Sequence, residues 1–160
     1  MGLSLAALAA LAAVPARGAD DGGRARMAAC QDSWFDWQKS DPPKLKAFAD
    51  RFHAAFIRKG DDPYVVPKAA TSVDGLKIVE AFPGSVGMGV GFSLLVDAKF
   101  DAAKQMLAHR VGKPLGHCET GDSMRSCELQ IAEQRTLTVM AQDDPKTAQT
   151  LIGCYYFYEK

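Results

Sequence analysis

Four cysteines constrain this 160-residue chain more than any other feature: Cys30, Cys118, Cys127 and Cys154. An even set suits two disulfides if the compartment is oxidising. The N-terminus gives a reason to expect one. Residues 3–14 read LSLAALAALAAV, an apolar run followed by Pro15 and small residues. Such a run is shorter than the ~20 residues of a membrane span and has the length of a secretory h-region. Residues 1–19 therefore read as a signal peptide with cleavage near 16–19, and 20–160 as one domain. The expected location is the periplasm or the extracellular medium, with no transmembrane segment in the mature chain.

Four cysteines allow three connectivities. We expect Cys118–Cys127, which closes a short loop, and Cys30–Cys154, which ties the N-terminal segment to the last strand. In the chain-entropy picture these are worth roughly 2.5–3 and 5 kcal/mol. No CxxC or HxxxH ligand spacing and no CxxCH haem signature occurs. Neither a metal nor a cofactor is expected.

Charge narrows the partners. Nineteen Lys and Arg balance nineteen Asp and Glu, so a globally basic nucleic-acid binder is not expected. The balance hides a local bias: residues 43–59 carry five cations and one acid.

Periodicity sets the expected elements. Over 24–39, Met27, Cys30, Trp34 and Trp37 share one helical face. Over 43–59, Asp41 caps a helix, Pro42 and Pro43 suit its first turn, and Gly60 follows it. Leu45, Phe48, Phe52, Ala55 and Phe56 form its apolar stripe. Residues 74–82 and 86–96 read as a strand pair around a Pro83-Gly84-Ser85 turn. Residues 98–111 read as an amphipathic helix capped by Asp97, with His109 exposed. Residues 126–133 and 136–142 fit a hairpin, Asp143-Asp144-Pro145 a turn, and 151–159 a last strand. Tyr155 and Phe157 lie on one face of that strand, Tyr156 and Tyr158 on the other, so both faces should be covered. The order predicts an α+β fold: a mainly antiparallel sheet of about five strands, N-terminal helices and one crossover helix, stapled by disulfides.

Candidate sites are few. Lys44, Arg51 and Arg58 repeat every seven residues, about 10 Å apart on a helix, and could meet an anionic surface. They are the expected binding residues. The Gly-x-Gly-x-Gly run at 87–91 alternates with apolar residues inside a strand, so it reads as a face for close approach rather than a phosphate cradle. Gly121-Asp122-Ser123-Met124 resembles the nucleophile block of GDS(L) lipases and esterases. That family takes its base from a C-terminal Asp-x-x-His, and no His follows His117 here. His117 and Glu119 share a side if extended and could do acid–base work. His53 reads as a boundary residue, and the two Trp residues as core.

The expectation is a small exported binding or inhibitor-type module, not an enzyme, acting on an unidentified protein or anionic ligand. The alternatives are a small periplasmic hydrolase using His117/Glu119 or Ser123, and a structural or assembly factor of the cell envelope.

Overall fold

The structure is a computed structural model that describes residues 21–86, 89–142 and 148–156. The expected signal segment, Gly87 and Met88, the turn expected at Asp143-Asp144-Pro145, and Phe157 and Tyr158 lie outside the described residues. The rest is α+β, with four helices and nine strands among the described residues.

The N-terminal helical stretch is two helices, not one. Helix α1 (Asp21–Ala28) ends where Cys30 turns left-handed at φ 57°, with the N–H groups of Gln31 and Asp32 returning to the Arg26 carbonyl. Helix α2 (Trp34–Ser40) then starts afresh. Its N-cap Ser33 accepts from the Asp36 N–H, a bond that fixes one of the orphan donors of the first turn. Met27, Cys30 and Trp37 are buried all the same, because the turn brings both helices onto one core. Helix α3 (Pro42–Ala55) has the expected Asp41 cap, which accepts from the Lys44 N–H.

Helix α3 stops four residues short of the expected end. Phe56–Arg58 form strand β1, paired antiparallel with β2 (Val65–Pro67). Strand β3 (Ser72–Val73) pairs with β4 (Leu76–Val86), and β4 runs unbroken into the hairpin with β5 (Gly89–Asp97). Pro83-Gly84-Ser85 is thus strand, a correction to the turn expected there. Strand β4 meets β2 at Ala81, and beyond that point one side of β4 has no strand partner among the described residues. A proline without an N–H removes no ladder bond there.

Helix α4 (Phe100–Val111) has Lys99 as N-cap and no side-chain cap, because Asp97 stays in β5 opposite Gln149. Its other end closes as expected on left-handed Gly112. Strands β6 (His117–Thr120), β7 (Met124–Ala132), β8 (Arg135–Gln142) and β9 (Gln149–Tyr156) follow. The sheet order is β1-β2-β4-β5-β9-β8-β7-β6, with β3 beside β4. The last strand is therefore central: β9 lies between β5 and β8, all antiparallel.

Register separates two faces. Leu94, Ile152, Val139 and Cys127 form one row across four strands, and Phe92, Cys154 and Leu137 form the next. All seven are buried. The helices cover this face: Trp34, Phe48 and Phe52 set their rings 5.7–6.4 Å from that of Phe92. Both expected disulfides form. Cys30–Cys154 ties the α1–α2 turn to β9, and Cys118–Cys127 links an opposed pair on β6 and β7.

The glycine run allows a close approach at Gly91. A Cβ there would lie 2.2 Å from the Cys154 carbonyl oxygen, so the element that approaches is the neighbouring strand β9. Gly153 makes the reciprocal concession, with Ser93 Cβ 2.5 Å from where its own Cβ would stand.

Candidate functional site

The three expected binding cations do not lie on one helix. Lys44 and Arg51 keep their seven-residue spacing on α3, and both are exposed. Arg58 stands beyond the helix end, exposed on β1. The Lys44 ammonium lies 4.2 Å above the Trp37 ring and 3.9 Å from the Asp32 carboxylate, which also takes the Arg26 guanidinium at 2.7 Å. Arg58 and Lys59 mark the end of a sheet-edge strand, where cations hinder edge-to-edge pairing.

His117 and Glu119 do come together, with Nε2 and Oε1 3.1 Å apart on edge strand β6. Both side chains are more than two-thirds exposed, so solvent screens the pair. Ser123 sits in the β6–β7 turn, which the Gly121 N–H closes on the Met124 carbonyl. Three residues of extended chain separate His117 from Thr120, about 10 Å, before that turn begins. The register thus holds His117 and Ser123 at opposite ends of β6. His53 and His109 are exposed.

What sequence reasoning missed is the face opposite the helices. Across it runs a row formed by Glu80, Leu95, Leu151, Met140 and Ser126, one residue from each of β4, β5, β9, β8 and β7. The adjoining row holds Asp97, Gln149, Gln142 and Met124. Leu95, Leu151 and Met140 are only partly covered, and Met124 is 50% exposed. Together with Ala141 and the two glutamines they line a groove of about 320 Å³. Two-residue alternation was legible within β5, but which face the helices would take depends on pairings far apart in the chain.

The groove has acidic surroundings. Glu80, Asp97, Glu119 and Glu128 belong to this face by register, with His117 3.1 Å from Glu119 and Lys77 3.8 Å from Asp97. Further along the same face, Tyr155 is buried beside the glycine seam, and burial pushes its phenol above the usual range. The Ser93 hydroxyl partly opposes that shift. Tyr156, on the helical face, is also raised, mainly by burial.

Two other hollows are more polar. One, of about 400 Å³, lies between α2 and the β7–β8 hairpin, where Arg135 pairs with Asp36 at 3.2 Å and Phe35 packs on Tyr156. The other, of about 680 Å³, flanks α4, where Arg110 pairs with Asp74 and Gln31. Opposite charges are already paired in both. Among the described residues no group of three or more His, Cys, Asp or Glu could hold a metal ion, and no helix is long and apolar enough to cross a membrane. No protein-family model, curated protein or solved structure matches the chain.

Proposed function

We propose that this chain is a small exported binding module that acts without catalysis and takes its partner on the open face of the sheet. One observation carries the reading: the Leu95–Leu151–Met140 row with Met124 is uncovered by any helix of the described residues, while Leu94, Ile152 and Val139 on the other face are buried. Flexible methionine side chains let such a surface fit more than one apolar shape. The carboxylates around it favour a partner that presents apolar and cationic groups together, an amphipathic basic segment of another protein. Export is supported by the apolar run at 3–14 and by the pairing of all four cysteines.

The test uses two labelled eight-residue peptides, alternating Leu-Lys and alternating Leu-Glu, and fluorescence anisotropy. The Leu-Lys peptide should bind, more weakly at high salt, and the Leu151→Arg variant should lose that binding. Equal binding of the Leu-Glu peptide would overturn the assignment of this face. So would binding that survives Leu151→Arg and disappears on charge reversal at Lys44, Arg51 and Arg58. That second outcome would favour an anionic partner on the α3–β1 flank.

A further inference from the structure

The two disulfides occupy opposite environments. Cys30 and Cys154 are 2% and 1% exposed, within the core under α1. Cys127 is 1% exposed, but Cys118 belongs to edge strand β6, all four residues of which are exposed. Thiol–disulfide exchange needs a thiolate to reach one sulfur, and of the four only Cys118 Sγ belongs to an exposed residue. That sulfur also has a cation beside it: Lys104, on α4, places its Nζ 3.2 Å from Cys118 Sγ. Arg125 precedes Cys127 by two residues on the same face of β7, its guanidinium 5.0 Å from the centre of the Phe100 ring. Glu119 and Glu128 adjoin the cysteines in sequence but lie on the other face, by strand alternation. Asp101, one turn before Lys104 on α4, is the acid on the helical side. An ammonium in contact with the sulfur attracts an incoming thiolate and stabilises Cys118 when it leaves as one.

We infer that Cys118–Cys127 is a thiol–disulfide exchange site, opened by a dithiol through Cys118, while Cys30–Cys154 is a permanent staple. In the first step a thiolate of the dithiol bonds to Cys118 Sγ. The Cys118–Cys127 bond breaks, and Cys127 leaves as a thiolate that takes a proton. In the second step the remaining thiol of the reductant, ionised, attacks its own sulfur in the mixed disulfide and expels Cys118 as a thiolate beside Lys104. Two electrons pass from the dithiol, which becomes a cyclic disulfide, to the protein, which gains two thiols. The fold survives, because β7 stays paired with β8 and the buried staple is untouched. What changes is β6, which loses its covalent tie to β7 and keeps its four-residue ladder.

The test equilibrates the full protein with mixtures of reduced and oxidised dithiothreitol, quenches in acid, alkylates, and assigns each cysteine by peptide mass. Cys118 and Cys127 should become alkylated at reductant ratios that leave Cys30–Cys154 intact and the far-UV dichroism unchanged. Lys104→Met should make the pair about three- to fivefold harder to reduce, and Lys104→Arg should restore the original midpoint. A Cys127→Ser variant treated with oxidised glutathione should carry the mixed disulfide on Cys118. Opening of both disulfides together, only on unfolding, would refute the inference. An unchanged midpoint in a folded Lys104→Met protein would do the same.

Discussion

Replacing Gly91 with alanine tests the seam between β5 and β9. The added Cβ would stand 2.2 Å from the Cys154 carbonyl oxygen and 3.1 Å from Tyr155 Cα. A carbon and an oxygen in ordinary contact need about 1 Å more than that, since even a close C–H···O approach is ~3.3 Å. The methyl cannot move away, since the backbone of residue 91 fixes the Cβ position, and the obstacle is main chain. Nor can β9 retreat easily: Cys154 is bonded to Cys30, and β8 holds the strand from its other side. Overpacking typically costs about 1–3 kcal/mol, and an immovable backbone places this site near the top, about 3 kcal/mol. At roughly 3–4 °C per kcal/mol for a domain of this size, Tm should fall by about 10 °C. Gly116→Ala is the control. Nothing lies within 4 Å of its Cβ, and the change should stay within about 0.5 kcal/mol. Thermal melts followed by circular dichroism, with urea titrations for the free energy, supply the readout. A Gly91→Ala protein melting within about 2 °C of the parent would refute the close approach.

Three further outcomes are expected. Converting Cys30 and Cys154 to alanine should cost up to about 5 kcal/mol, for the 124-residue separation, against about 2.6 kcal/mol for Cys118 and Cys127, separated by nine; urea denaturation of the two double variants gives the order. Burial raises the pKa of Tyr155 and Tyr156 in the fold, so their contribution is intact below the unfolded phenol value near pH 10 and is lost as pH rises above it. The part of the stability that these two phenols carry should decline beyond about pH 10, and absorbance at 295 nm should show them ionising above the free-phenol range or on unfolding. Arg58→Val with Lys59→Thr removes the cations at the β1 end, and light scattering at raised concentration should report faster association with little change in Tm.

The disulfides were legible because Cys30 shares a helical period with Trp34 and Trp37, and because Cys118 and Cys127 are spaced for a short hairpin. The helices were legible from their stripes, but not their ends. Phe56 continues the i, i+4 spacing from Phe52, so the sequence reads as helix where pairing with Val65–Pro67 makes strand. The four short strands β1, β2, β3 and β6 carry too few residues for alternation to register, which is why about five strands were expected and nine are present among the described residues. Pro83-Gly84-Ser85 has turn composition, yet an edge position tolerates it. The groove was beyond reach for a different reason. Leu95, Met140 and Leu151 are unremarkable one by one, and only the β5-β9-β8 order sets them side by side.

That order has a consequence for synthesis. Among the described elements strand β9 leaves the ribosome after all the others, and it is the one that joins the β4–β5 hairpin to the β6–β7–β8 meander. Until it emerges, the nascent chain holds two half-sheets with no common neighbour. Cys30 likewise waits for a partner 124 residues downstream. Completion of the sheet therefore waits for β9, whatever has folded before it. The β4–β5 hairpin and the β6–β7–β8 meander thus become one sheet, and the buried disulfide becomes possible, in a single late step.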